Sequence, residues 1–89
     1  MNFIKEEYRI YAVDHQQQLL AEIDFPKDGD NLVCITHTYV APQLRGQKIG
    51  EKLVTLALDE IRQKGWNYEV SCSYASAILK RNEIGEKEI

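Results

Sequence analysis

A glycine-containing loop between a β-rich segment and a strongly periodic helix, at residues 40–54, constrains this chain more than any other feature. The segment reads VAPQLRGQKIGEKLV and places two glycines and the cations Arg45 and Lys48 where the helix begins. The first backbone N–H groups of a helix have no partner within it, and they carry the positive end of the helix dipole. The loop therefore predicts a phosphate site. The spacing of its glycines differs from that of the nucleoside-triphosphate loop and from that of the dinucleotide fingerprint. The alternative interpretation is an ordinary tight turn between a strand and a helix.

The composition is that of one small globular domain covering residues 1–89. Of these residues 44% are hydrophobic and 28% are charged, and the net charge of −3 argues against a nucleic-acid binder, which normally has a basic face. No apolar run approaches the roughly 20 residues that cross a bilayer, and we recognise no signal peptide. Cys34 and Cys72 do not amount to a disulfide framework. We therefore expect a cytoplasmic protein with free thiols, a monomer or weak homodimer without nucleic-acid or membrane partners.

Alternation of apolar and polar residues predicts three strands ahead of the loop. They cover residues 8–13, 19–25 and 32–40, and the first two form a hairpin. A dense cluster of turn formers separates the second strand from the third. The residues assigned to one face of the third strand are Val33, Ile35, His37 and Tyr39.

Helical periodicity is strongest over residues 49–64. The apolar stripe of this helix consists of Ile49, Leu53, Leu56, Ala57 and Ile61, widened by Val54 and Leu58. Gly65 supplies the C-terminal cap. We then predict a strand at residues 66–74, a short helix at 75–81 and a charged, frayed tail at 82–89. This order predicts an α+β fold: a mixed β-sheet with an antiparallel N-terminal meander, a central helix after the loop and a short C-terminal helix.

Three motifs occur in order along the chain. They are His37-Thr38-Tyr39-Val40 at a strand end, Pro42-Gln43-Leu44-Arg45-Gly46-Gln47-Lys48-Ile49-Gly50 in the loop, and Cys72-Ser73-Tyr74 further on. Together with the element order, they resemble the very small members of the GNAT N-acetyltransferase superfamily, over nearly the whole chain. That resemblance implies a compact GNAT-like fold that binds acetyl-CoA.

The resemblance also implies roles for individual residues. The loop residues that would wrap the coenzyme A pyrophosphate are Arg45, Gly46, Gln47, Lys48, Gly50 and Glu51. Thr38, Tyr39 and Val40 would lie along the pantetheine arm, and Cys72 would sit near the acetyl group. Lys48 replaces the central glycine of the family loop, and its charge, with Lys52 one turn on, would compensate.

Three residues are candidates for chemistry. Cys72 would be a nucleophile if a helix N-terminus lowered the pKa of its thiol, and otherwise a small buried hydrophobe. His37 is a possible base, or a structural residue on a strand. Tyr74 would donate its hydroxyl to the thiolate or thioester, or would only pack. We predict no metal site, because the histidines and cysteines lack a close ligand spacing.

The expected function is transfer of an acetyl group from acetyl-CoA to an amine. Larger relatives carry an N-x-x-A-x-x-L-Y segment whose tyrosine protonates the departing thiolate. Aligned on Ala75, that segment puts Cys72 at the asparagine and Leu79 at the tyrosine, so the usual acid is missing. The chain also lacks the N-terminal helices that build the acceptor pocket. The alternative is a non-catalytic acyl-CoA-binding module or sensor, and a third possibility is a structural domain that has lost the cofactor.

Overall fold

The computed structural model describes residues 1–87, with side chains for residues 1–80, so the last two residues of the predicted tail lie outside the described residues. The strands are β1 Ile4–Glu6, β2 Arg9–Val13, β3 Leu19–Asp24, β4 Lys27–Gly29, β5 Leu32–Ile35, β6 His37–Val40 and β7 Asn67–Val70. The helices are α1 Ile49–Gln63 and α2 Ser73–Lys87, with a single 3₁₀ turn at Pro42–Leu44. This order confirms the predicted α+β class. Within the described chain, neither helix combines the length and apolarity needed to cross a membrane.

The strands form two small sheets. One is antiparallel throughout, in the order β1-β2-β3-β6, and contains the predicted meander. The other has the order β4-β5-β7, with β4 antiparallel and β7 parallel to β5. Strands β1 and β4 were not predicted, because each has only three residues and β4 lies inside the cluster of turn formers.

The predicted third strand is wrong in one respect, because it breaks at Thr36 into β5 and β6. The N–H of Thr36 donates to the carbonyl of Asp24 at 3.1 Å, and Asp24 is also the register partner of His37. Two residues thus face one, as in a β-bulge, and the alternation reverses after the break. Thr38 pairs with the buried Ile23, so His37 points to the opposite face.

Helix α1 packs its apolar stripe into the core, as predicted. Leu53, Val54, Ala57 and Ile61 are buried, and Ile49, Leu56 and Leu58 pack on them with partial exposure. The core that they join includes Ile10 and Ile23 from the first sheet, Val33 and Ile35 from the second, and Phe25 from the connection between β3 and β4. Helix α1 therefore packs against both sheets, as does the start of α2, and the chain passes from the second sheet to the first at Thr36.

The C-terminal third differs from its prediction. Strand β7 ends at Val70, so Cys72 lies just before α2 rather than within a strand. Helix α2 begins at Ser73 and continues to Lys87, where the sequence analysis predicted a short helix and a frayed tail. The N–H of Ser76 donates to the carbonyl of Cys72 at 2.9 Å, which makes Cys72 the N-terminal cap residue of this helix.

Candidate functional site

The two sheets part beside β6 and leave a cleft. The carbonyl of Ile35 accepts hydrogen bonds from the N–H groups of Ser71 at 3.0 Å and Cys72 at 3.2 Å, where the β5–β7 pairing ends. Strand β6 is the last strand of the first sheet, so no described strand pairs with its other edge, which faces the gap. A strand edge of this kind offers backbone donors and acceptors to an extended ligand.

A cavity of about 410 Å³ opens along this edge. Its lining residues come from β6, the loop, the start of α1 and the start of α2: Thr38, Tyr39, Val40, Leu44, Arg45, Gly46, Lys48, Ile49, Gly50 and Tyr74. The lining combines apolar side chains with the two cations of the loop. Such a cavity suits a ligand with an anionic end and a slender, less polar arm.

The loop conformation leaves the start of α1 open toward the cavity. Gly46 has φ of 86°, and an added Cβ there would meet nothing within 4 Å, so the backbone conformation rather than space requires glycine. Lys48 is the N-cap of α1 in the left-handed conformation (φ 62°, ψ 25°), and its side chain makes no capping hydrogen bond. The Nε of Arg45 donates to the carbonyl of Val40 at 3.2 Å, which ties the loop to β6.

Cys72 lies across the cleft from Thr38, with 3.8 Å between Sγ and Oγ1. Partial burial raises the pKa of the Cys72 thiol, but hydrogen bonds outweigh this effect and the pKa is lowered overall. The donors are the N–H of Ala75, the hydroxyl of Thr38, and then the N–H groups of Tyr74 and Thr38. The start of α2 and the free edge of β6 therefore stabilise a thiolate at this position.

His37 is not brought to Cys72. It lies on the outer face of the first sheet, where its Nε2 is 3.7 Å from a carboxylate oxygen of Glu22.

Ligand atoms of Glu22, Asp24 and His37 lie within 4.8 Å of one another, a grouping that could hold a metal ion. Arg9 forms ion pairs with both carboxylates. Its guanidinium therefore supplies positive charge that a metal ion would otherwise provide. This cluster was not predicted, because the spacing of histidines and cysteines does not include carboxylates two residues apart on a strand.

Asp24 shows the electrostatic balance in this outer cluster. Burial raises the pKa of the Asp24 carboxyl, and the charge of Glu22 raises it further. His37 and Arg9 oppose this increase without cancelling it. The cluster is thus an ion-pair network in which carboxylate repulsion is only partly relieved.

Most residues predicted to bind the cofactor converge on the cavity. Thr38, Tyr39, Val40, Arg45, Gly46, Lys48 and Gly50 line it, together with Tyr74. Gln47, Glu51, Lys52 and Cys72 are not among its lining residues, although the Cys72 thiol contacts the lining residues Thr38 and Tyr74 through hydrogen bonds. Leu44 and Ile49, two apolar lining residues, were not predicted as part of the site. The sequence feature that could have identified them is the presence of apolar residues at both ends of a polar loop.

Comparison with known proteins identifies solved structures with a similar fold. A GCN5-like protein from Staphylococcus aureus, with a solution NMR structure, is 29% identical, with a TM-score of 0.77 over 92% of this chain and 80% of that chain. An acetyltransferase of the GNAT family from Streptococcus pneumoniae is 22% identical, with a TM-score of 0.56 over 73% of this chain and 48% of that one. Nourseothricin acetyltransferase is 24% identical, with a TM-score of 0.53 over 65% of this chain and 35% of that one.

The last two similarities show the fold alone, and this chain spans about half or less of those two proteins. Among curated proteins, none matches the sequence. The family model of the GCN5-related N-acetyl-transferases matches residues 7–87. With nearly the whole chain matched, this protein belongs to the GCN5-related N-acetyltransferase family.

Proposed function

We propose that this protein binds acetyl-CoA and transfers its acetyl group to an amine. The observation that carries the proposal is the cavity that joins the free edge of β6, a loop with two cations and the open start of α1. Oriented N–H groups and cations recognise phosphate, and an unpaired strand edge recognises an amide-containing chain. Coenzyme A presents both groups in one molecule.

The cavity residues divide between the parts of this ligand. Arg45, Gly46 and Lys48 would hold the diphosphate, with Gln47, Glu51 and Lys52 close to it. The backbone of Thr38, Tyr39 and Val40 would bind the amides of the pantetheine arm, and the side chains of Leu44 and Ile49 would pack against its methylene groups. This division follows the chemistry of the lining residues, which include cations, backbone of β6 and apolar side chains.

Cys72 supports a covalent route. In that route the Cys72 thiolate attacks the thioester carbonyl, a new thioester forms at Sγ, and the coenzyme A thiolate leaves and takes a proton from solvent. A neutral amine then attacks the acetylated Cys72, forms an amide and loses a proton as the Cys72 thiolate departs. The hydrogen bonds that lower the thiol pKa would favour the thiolate at both ends of this sequence.

A specific observation also favours a non-catalytic acyl-CoA-binding module. Leu79, at the position aligned with the usual tyrosine acid, is 8% exposed within the hydrophobic core. His37, the candidate base, lies on the outer face of the sheet. If the thiol of Cys72 is not acetylated, these two positions leave the direct route without its expected proton carriers.

The test is a calorimetric titration with acetyl-CoA and with coenzyme A, combined with amide NMR spectra. We expect micromolar affinity, about −8 kcal/mol, with shifts centred on residues 38–51. Acetyl-pantetheine, which lacks the diphosphate and nucleotide, is the matched control and should bind much more weakly. No binding of either coenzyme A form at millimolar concentration would refute the proposal.

Turnover is then measured with an amine panel, and acetylation by intact mass. A mass increase of one acetyl group that disappears in Cys72→Ala supports the covalent route. Turnover that persists in Cys72→Ala supports direct transfer to the amine. Binding without turnover or acetylation would favour the module instead. The cytoplasmic location and the monomeric or weakly dimeric state stay predictions.

A further inference from the structure

Two cavity-lining residues, Gly50 and Tyr74, make a close contact between the second residue of α1 and the second residue of α2. A Cβ added to Gly50 would lie 2.2 Å from the Tyr74 hydroxyl oxygen, and 2.7 Å from both Cε2 and Cζ. Real Cβ atoms do not approach other atoms so closely, so an alanine at this position would displace the tyrosine ring. Gly50 itself is buried, whereas Tyr74 is 47% exposed.

The backbone does not explain the glycine at this position. Unlike Gly46 and Gly65, Gly50 has no positive φ, and it lies within a helix, where alanine is more favourable than glycine. The reason for glycine must therefore be space, and the structure shows that the ring of Tyr74 occupies that space.

The place of the contact gives it a function. Both residues line the cavity, and the Tyr74 hydroxyl lies against the first turn of α1, where the N–H groups of a helix attract an anion. Tyr74 thus closes the α2 side of the cavity and brings a hydrogen-bond donor to its phosphate end.

We propose that Tyr74 is a positioning residue for the diphosphate of coenzyme A, and that position 50 is glycine in order to seat it. The ring forms a wall of the cavity, and the hydroxyl donates a hydrogen bond to the bound ligand. The inference rests on the proposed function, and it assigns Gly50 a role different from close approach of its own backbone to phosphate.

A double-mutant cycle separates the two roles. Calorimetry measures coenzyme A affinity for the wild-type protein, Gly50→Ala, Tyr74→Ala and the double variant. We expect Gly50→Ala and Tyr74→Ala each to weaken binding at least about tenfold, the effect of losing one hydrogen bond to a charged group. In the Tyr74→Ala background, Gly50→Ala should change the affinity by no more than roughly twofold, the usual scatter of non-interacting sites.

Two further variants complete the test. Tyr74→Phe keeps the ring and should lose most of the donor's effect, whereas Tyr68→Ala removes another exposed tyrosine, on β7, and should bind like the wild type. Amide spectra establish that each variant folds. Equal weakening by Gly50→Ala in both backgrounds, or unchanged binding in Tyr74→Ala, would overturn the inference while leaving the proposed function intact. No binding by the wild-type protein would instead overturn the proposed function, and this inference with it.

Discussion

The lowered pKa of the Cys72 thiol results from two elements that meet at the cleft. Helix α2 contributes N–H groups at its first turn, and β6 contributes the side chain and N–H of Thr38. Because the folded pKa lies below the unfolded one, the thiolate stabilises the fold as pH rises through the folded pKa. This contribution is complete above the unfolded pKa and is lost as pH falls through the folded one.

Thr38→Val should raise the Cys72 pKa toward that of an ordinary thiol, because valine keeps the shape of threonine and removes its hydroxyl donor. We expect alkylation of Cys72 by iodoacetamide to be several-fold slower at neutral pH. The pH–rate profile should move to higher pH. The measurement uses mass spectrometry in a Cys34→Ser background. Thr36→Val, at an exposed threonine on the same segment, is the control and should leave the profile in place. Equal profiles for Thr38→Val and the parent protein would contradict the role of the hydroxyl.

Lys48 combines an unfavourable backbone conformation with a useful charge. A side chain in the left-handed region costs about 1–2 kcal/mol relative to the right-handed helix region, and Lys48 adopts that region beside the cavity. Strain of this kind is retained where the surrounding structure or the function requires it.

Lys48→Gly should therefore raise stability and lower affinity. We expect an increase of about 1 kcal/mol in the free energy of unfolding, measured with urea, and several-fold weaker coenzyme A binding. Lys48→Ala is the matched control, because it removes the same charge and keeps the strained backbone. It should lose the affinity without gaining the stability. A stability gain of the same size in both variants would show that the charge, not the conformation, destabilises the protein.

At the scale of elements, the end of α1 shows how local chemistry fixes a boundary. Gly65 has φ of 72°, its N–H donates to Arg62, and the N–H of Trp66 donates to Ile61 at 3.0 Å. These are the two hydrogen bonds of a Schellman cap. The ring of Trp66 then stacks on Tyr8 with centroids 5.3 Å apart, which joins the cap to the start of the first sheet.

Gly65→Ala should destabilise the protein through this cap. Space is available for the methyl group, so the cost is the left-handed conformation alone, about 1 kcal/mol. For a domain of this size we expect the Tm to fall by about 4–8 °C. Gly29→Ala is the control, because Gly29 has no positive φ and the new Cβ would make ordinary contacts of 3.6 and 3.7 Å with Leu32. A comparable fall in both variants would argue against the cap.

The loop, α1 and its cap were predictable because each depends on residues close together in sequence. The break at Thr36 was not, since residues 32–40 alternate without a glycine or proline to mark an interruption. The half before Thr36 joins the second sheet by pairing with β7, and the half after it joins the first sheet by pairing with β3. The alternation of residues within one segment does not reveal which strand it will pair with. The same break placed His37 on the outer face. It also left the edge of β6 free beside the cavity, and this edge is the feature on which the candidate site depends.

At the scale of the molecule, the net charge of the chain and the charge of the loop at the site have opposite signs. The chain carries a net charge of −3, whereas Arg45 and Lys48 line the cavity at the start of a helix. At an ionic strength of 0.1 M, charges farther apart than about 10 Å are largely screened from one another. The cations at the cavity should therefore govern the binding of an anion, despite the acidic balance of the whole.

Coenzyme A affinity should accordingly fall as salt is added, by several-fold between about 0.05 M and 0.5 M ionic strength. Acetyl-pantetheine, which has no phosphate, should show almost no salt dependence, and calorimetry in sodium chloride measures both ligands. The loss should be smaller in Lys48→Ala, because one of the screened cations is already absent. Affinity that instead rises with salt would mean that repulsion from the acidic molecule outweighs the loop. The diphosphate would then have to bind elsewhere than at the start of α1.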